Sequence, residues 1–315
     1  MIKKPRVSII IPALNVADTI ERCVNSALAQ TYPNTEVIVV EGDSSDGTRF
    51  LLKNIEDRNN LESFKRLNVF YTTFDNIATA RNTGLSRATG QYVFWLEPTD
   101  YLDMKAVEHY VEIVTRTGAD MVKNTYKDSM TGTVTFDRIA YIRMILNGSI
   151  DPVISGSMFK KDLYHNISFD RRSSIPEIQN YLSVCEKCRN ITLIRRNDLY
   201  HYFPSTENES LRTIRDKAII TELTYEKYVS SFPYECEEVL KNFTNYAVKG
   251  YYTGRRMLSE EEDIKIAEDI RLLILNHELS IEKSKLIAGY TKTCVQAICR
   301  NNRFISSILK LFWKS

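Results

Sequence analysis

The sequence lacks any uncharged run approaching the ~18–20 residues needed to cross a bilayer as a helix. It also lacks an excess of one charge. Lys and Arg number 42 against 40 Asp and Glu, a net charge of +2, which argues against a general nucleic-acid binder, since those carry a basic surplus or stripe. Six cysteines in 315 residues are too few for a disulfide scaffold. No internal repeat and no low-complexity linker interrupts the chain. The start, Met1-Ile2-Lys3-Lys4 and then Val7–Ala13, has the order of a signal peptide. However, its apolar run is short and ends in Asn15, Asp18 and Glu21 with no small-residue cleavage site. It is expected to be a buried strand of a cytoplasmic protein. What is present is 43% hydrophobic and 26% charged, the balance of a globular protein with a sizeable core. The length suits one large domain or two ordinary ones.

The first hundred residues alternate between strand and helix signals. Val7–Ile11, rich in Ile and Val and closed by Pro12, predicts a strand buried on both faces. From Asp18 to Gln30, Ile20, Cys23, Val24 and Ala27 recur at helical spacing. Val37–Val40 predicts a second strand, and Ser44-Ser45-Asp46-Gly47-Thr48 a turn and cap before a helix around Phe50–Ile55. A third strand near Val69–Thr72, a helix through Ala80–Ala88, Gly90 and a strand Tyr92–Leu96 follow. Such alternation implies a mostly parallel sheet with helices on both faces. Its ligand site should lie beyond the carboxyl ends of the strands, at Pro12–Asn15, Glu41–Asp46 and Glu97–Asp100. Beyond Tyr101, a helix is expected over Ala106–Val114 and a strand from Asp120, with short strands and loops over 128–200. From about Thr213 the composition predicts helices. The expected domains are 1–210, in halves 1–102 and 103–210, and a helical region 211–315.

Three clusters carry chemistry. In Glu41–Thr48 a carboxylate at a strand end can accept hydrogen bonds from a nucleobase or ribose, beside a Ser-rich turn that exposes N–H groups; a capped helix start is the plainer reading. In Ala80-Arg81-Asn82-Thr83-Gly84 an Arg at a helix start could reach a diphosphate, although surface arginines are common. In Glu97-Pro98-Thr99-Asp100 two carboxylates follow a buried strand, where a hard divalent cation is a natural partner and a solvated loop the simpler alternative.

Taken in this order, the clusters resemble the family 2 inverting glycosyltransferases with the GT-A fold. Strand-Pro-x-Tyr-Asn corresponds to Ile11-Pro12-Ala13-Leu14-Asn15, and Asp-Asp-Gly-Ser-x-Asp-Gly-Thr to Glu41-Gly42-Asp43-Ser44-Ser45-Asp46-Gly47-Thr48. Ala-Arg-Asn-x-Gly is intact at Ala80–Gly84, and Gly90-Gln91-Tyr92 follows. The likeness is strong over residues 5–102 and weaker through Ser157–Leu163, Ile167–Phe169 and Leu199–Tyr202. It implies a GT-A-type, Rossmann-like sheet, a nucleotide-sugar donor and a glycan or cell-envelope polymer acceptor. By resemblance Pro12, Asn15, Glu41, Asp43 and Arg81 lie at the nucleotide, while Glu97 and Asp100 hold a divalent cation, Mn²⁺ or Mg²⁺.

Two departures stand out. The metal motif Asp-x-Asp-Asp reads Glu97-Pro98-Thr99-Asp100, a loss of formal charge. The family's base is the Asp of a Glu-Asp pair; setting Phe169 and Tyr181 in register puts Glu177 on the Glu and Ile178 on the Asp. Glu177 is the expected substitute base. The alternative is a non-catalytic module that binds a glycan, polymer or partner enzyme. Cys185 and Cys188 have zinc-like spacing without a second pair and are expected as two thiols on one helix face. His201 sits where a metal-proximal His could stand, or simply in a buried strand. The tail Arg303–Lys314 has Phe304, Ile305, Ile308, Leu311 and Phe312 on one helical face. It is expected to dock on protein, as in self-association, or to touch anionic lipid.

Overall fold

The computed structural model describes residues 4–60, 66–74, 76–125, 132–173, 175–196, 198–203, 210–256 and 261–300. The chain divides into two compact units, Met1–Ile142 with Pro152–Thr206, and Arg143–Asp151 with Glu207–Ser315. The first opens with β1 (Val7–Ala13), α1 (Ala17–Leu28), β2 (Thr35–Glu41), α2 (Thr48–Asn60), β3 (Leu67–Tyr71), α3 (Ile77–Arg87) and β4 (Tyr92–Trp95). It continues with β5 (Tyr101–Leu102), α4 (Ala106–Thr117), β6 (Met121–Asn124), β7 (Gly132–Asp137) and α5 (Arg138–Leu146), the last crossing into the second unit. After β8 (Ser157–Lys160) come α6 (Pro176–Cys185), β9 (Asn190–Arg195) and β10 (Tyr200–His201).

Eight strands form one sheet in the order β3-β2-β1-β4-β8-β6-β9-β7. β3, β2, β1, β4, β6 and β9 run one way, and β8 and β7 run against them. Alternate side chains of each strand face opposite sides. Ile9, Ile11, Val37, Val39 and Phe94 join one core with Ile20, Cys23, Val24 and Ala27 of α1 and Tyr110 of α4. Ile10 and Val40 face the other side, under Gly84 of α3. There Trp95 donates to Tyr164 Oη at 2.7 Å and packs on Phe169. Each fully buried Ile or Val contributes roughly 1.5–3 kcal/mol, so the central strands anchor the edge at which the site is built. Pro12 lies past the last β1–β4 pair, Ile10 with Trp95, where its missing N–H breaks no ladder on that side.

The stretch 128–200 holds two helices where short strands and loops were expected. α5 buries Tyr141, Ile142, Ile145 and Leu146. α6 starts with Pro176 at its first position and buries Tyr181, Leu182 and Cys185. Both helices are short, 9 and 10 residues, and their apolar periods do not stand out from alternation. Cys185 and Cys188 are buried free thiols raised by burial above the usual thiol range.

The second unit consists of α7 (Leu211–Tyr228), α8 (Cys236–Arg256), α9 (Glu261–Lys283) and α10 (Gly289–Cys299), with residues 143–151. Ser210 caps α7 by accepting from the Thr213 N–H at 3.1 Å. Leu240, Phe243, Ile270, Ile274, Ile281 and Val295 belong to its own core. No helix among the described residues is long and apolar enough to cross a membrane. The tail expected as a helix, Arg303–Lys314, lies outside the described residues.

Candidate functional site

Two loops at the carboxyl edge of the sheet are laced together. The Asn15 N–H donates to Ser44 Oγ and Asn15 Oδ1 accepts from the Ser45 N–H, both at 2.9 Å. The Ala17 N–H donates to Asp46, which also accepts from the Thr48 N–H and hydroxyl. These bonds hold the Asp46 carboxyl below its usual range against the opposing effect of its partial desolvation. Asn15 and Asp43 both take left-handed backbone, with φ of 51° and 65°. Asn and Asp tolerate that conformation best after Gly. Glu41 is fully buried; it accepts from the Ser44 N–H at 2.6 Å and from Arg49 Nε at 3.0 Å. Arg49 reaches Asp43 at 2.7 Å with its other arm and lies over the Tyr71 ring. The half-exposed Asp43 is therefore the open carboxylate of this pair. Arg49 was not anticipated, although its place in the first turn of α2, just after the strand-end turn, is a readable signal. Beside it, a Cβ on Gly42 would come 2.5 Å from the Phe74 ring, so Phe74 covers the space that a side chain would need.

Four positions of the Ala80–Gly84 segment, all but Thr83, have a structural reason. Ala80 is buried. Arg81, only 3% exposed, donates to Glu97 at 2.7 Å and to Glu177 at 2.8 Å. Burial works against its charge, and the two carboxylates more than offset that, raising its pKa above the ordinary value. Asn82 clasps Phe169 at both backbone groups, donating to its carbonyl and accepting from its N–H, each at 2.9 Å. A Cβ on Gly84 would overlap Ile10 Cγ2, so only Gly lets α3 lie this close to β1. Arg81 thus has both terminal nitrogens committed to carboxylates instead of standing open to a diphosphate. It brings Glu177, 96 residues away in sequence, beside Glu97; both are part-exposed.

Asp100 is a different kind of group. It is fully buried, and its oxygens accept from Tyr200 Oη and from the Phe203 N–H at 2.9 Å. Burial pushes its pKa up to about 6, with the hydrogen bonds from Tyr200 and Phe203 acting against that and the charge of Glu97 adding to it. His201 stacks on Tyr101, with ring centres 4.3 Å apart. Arg22 lies over Tyr101 and Phe203 and donates to the Thr99 carbonyl at 2.9 Å. With Asp100 enclosed, Thr99 neutral and Glu97 held by Arg81, these residues as arranged do not fit a divalent cation, which requires several free oxygen ligands. Flanking α3 and α6 is a groove of about 990 Å³ lined by Asn82, Ser86, Phe169, Arg172, Gln179 and Ser183. The Arg81 guanidinium lies 5.7 Å from the centre of the same Phe169 ring.

The family model described as glycosyl transferase family 2 matches residues 8–167. The chain belongs to that family. TuaG of Bacillus subtilis, whose name assigns it to teichuronic acid biosynthesis, is 38% identical over 112 residues, 35% of this chain and 42% of TuaG. The chain therefore spans less than half the length of that relative. S. aureus TarS 1-349 superposes with a TM-score of 0.69 at 16% identity, over 98% of this chain and 91% of that one. TarS has also been solved with UDP-GlcNAc. A mannosyltransferase of Pyrobaculum calidifontis, solved with GDP-Man and Mn²⁺, superposes with a TM-score of 0.56 at 15% identity, over 100% and 89%. At these identities the structures share the family 2 chain's fold, a mostly parallel sheet between helices.

Proposed function

We propose that this family 2 chain transfers a sugar from a nucleotide-sugar donor to a hydroxyl of a glycan or cell-envelope polymer, with inversion at the anomeric carbon. The observation that carries the reading is the Glu177 carboxylate beside Glu97 on Arg81, at the edge where the strand-end loops converge. The donor in the TarS complex and the polymer in the name of TuaG support the two substrate classes. In this reading Asp43 and the Glu41–Arg49 pair flank the nucleoside, with Pro12 and Asn15 shaping the loop against it. Arg81 stays near the diphosphate as the clamp of both carboxylates. The acceptor oxygen attacks the anomeric carbon as the bond to the diphosphate breaks on the opposite side. Glu177 takes the hydroxyl proton, and the nucleoside diphosphate leaves. No step runs through a cation at Glu97 and Asp100. The polar groove beside Phe169 suits a carbohydrate acceptor. For a cell-envelope polymer acceptor we propose the cytoplasm, at the inner face of the membrane, as the place of the reaction. The tail Arg303–Lys314 is then the segment for peripheral contact or self-association.

One observation favours a second reading, a non-catalytic glycan-binding module: half-buried Ile178 stands where the resemblance expects the base. Turnover of a panel of nucleotide sugars decides between them. Glu177→Gln should lower turnover by ~10²–10⁴-fold, the usual contribution of a positioned base, with nucleotide affinity nearly unchanged. No turnover of any nucleotide sugar by the unaltered chain, with activity created by Ile178→Asp, would establish the module reading.

A further inference from the structure

The second unit contains a group of side chains with no place in sugar transfer. Glu222 and Glu226 stand four residues apart on α7, neighbours on one helix face. His277 of α9 meets them, with Nε2 3.0 Å from a Glu222 oxygen and 3.9 Å from a Glu226 oxygen. One donor atom from each residue lies within 4.8 Å of the other two, and among the described residues this is the one His/Cys/Asp/Glu group so arranged. His277 occupies the core-facing stripe of α9, between Ile274 and Ile281, both fully buried. The rings of Phe243 and Tyr225 meet it edge-on at 5.3 and 5.8 Å, fixing its plane. Glu222 is buried as well, whereas Glu226 reaches solvent.

A single carboxylate would satisfy a buried imidazole. Two converging on it leave surplus negative charge in a place where one member is out of water, and a buried charge needs a counter-charge. We propose that Glu222, Glu226 and His277 bind one Zn²⁺-class cation that staples α7 to α9. Zn²⁺ bonds of ~2.0–2.2 Å to His nitrogen and carboxylate oxygen put tetrahedral ligands about 3.3–3.5 Å apart, and the two spacings to His277 Nε2, 3.0 and 3.9 Å, bracket that value. Three protein ligands with an exposed side at Glu226 leave the fourth position to water. The mixed nitrogen and oxygen set selects against Mg²⁺, which prefers six oxygens.

The test uses the full chain, stripped with a chelator and titrated with Zn²⁺, reading stoichiometry and affinity by calorimetry and stability by thermal melting. One Zn²⁺ per chain is expected, with a rise in Tm that excess Mg²⁺ neither reproduces nor reverses. Glu226→Gln, at an exposed position, should leave the metal-free Tm unchanged and weaken Zn²⁺ at least tenfold, since even an outer partner of a ligand is worth 10–100-fold. His277→Gln should abolish uptake, and Cys185→Ser with Cys188→Ser should not alter it. If His277→Gln fails to fold, Glu226→Gln alone decides. No uptake in a titration carried into the submillimolar range, uptake undiminished by Glu226→Gln, or uptake lost with the cysteines would overturn the proposal. The group would then be a buried ion pair joining two helices.

Discussion

Glu97 and Asp100 leave the same strand three residues apart and meet opposite surroundings. Glu97 keeps one side toward solvent and an Arg on the other, while Asp100 is enclosed by Tyr200 and the Phe203 N–H. Burial is the largest influence on Asp100, and it wins over the two hydrogen bonds, so the carboxyl titrates at about 6. A folded-state pKa above the unfolded value of about 4 means that the folded protein binds the proton more tightly. That stability is full below about pH 4 and is lost as pH rises through about 6, with a ceiling of ~3 kcal/mol for a shift of about two units. Asp100→Asn cannot titrate. Urea unfolding from about pH 4 to pH 7 should therefore show the wild type losing up to ~3 kcal/mol relative to the variant. Asp46, Glu36 and Asp120, all shifted downward, give slopes of the opposite sign that cancel in this difference. Parallel stability curves for the two proteins would show that Asp100 is not held protonated.

At the scale of elements, α3 sets the site because Arg81 and Asn82, consecutive on one helix, grip three other places in the chain: Glu97 after β4, Glu177 on α6 and the Phe169 backbone before α6. The grip depends on how near α3 lies to β1. Gly84→Ala adds a methyl group into Ile10. Overpacking costs ~1–3 kcal/mol, and the gain in helix propensity returns about 1, so a net loss of up to ~2 kcal/mol is expected in denaturant unfolding. Exposed Ser86→Ala on the same helix should change little. Equal midpoints for the two variants would mean that α3 is free to move outward. The contrast between these residues also explains what was legible beforehand. The β-α alternation through Trp95 could be read because the strands are short runs dominated by apolar residues and α1 a spaced pattern, both local properties. The intact Arg81-Asn82 pair marked the site as well. The pairings could not be read: Glu177, expected as a base, lies 96 residues from Arg81, and Tyr200 and Phe203 lie 100 and 103 residues beyond Asp100. Those pairings exist only once β8 has turned the chain back beside β4 and β10 has paired with β5. Hence Asp100 reads as a metal ligand in sequence and is an enclosed acid in the fold.

Among the described residues, one apolar core lies on a face of the sheet and another among α7–α10. One acidic group of the helical unit, Glu222 with Glu226, is built differently from those at the sheet edge. At the sheet edge, carboxylates are matched by Arg49, Arg81, Tyr200 and backbone N–H groups, whereas in the helical unit two converge on a single His. A phosphate-bearing nucleotide and a divalent cation should therefore act on different units, although in a metal-dependent transferase they would meet at one site. Hydrogen exchange of the full chain separates these outcomes, because a ligand that binds only the folded form slows opening where it binds. Uridine diphosphate in the presence of a chelator should protect the segments around Glu41–Arg49 and Arg81. Zn²⁺ alone should protect α7 near Glu222–Glu226 and α9 near His277, leaving the sheet edge unchanged. The decisive arm is the nucleotide with and without Mn²⁺. Equal protection in both follows from the enclosed Asp100 and the clamped Glu97. Protection that appears only with Mn²⁺ would show that the cation displaces Arg81 from Glu97 and opens Asp100, and the assignment of these carboxylates to internal pairs would then fail for the bound state.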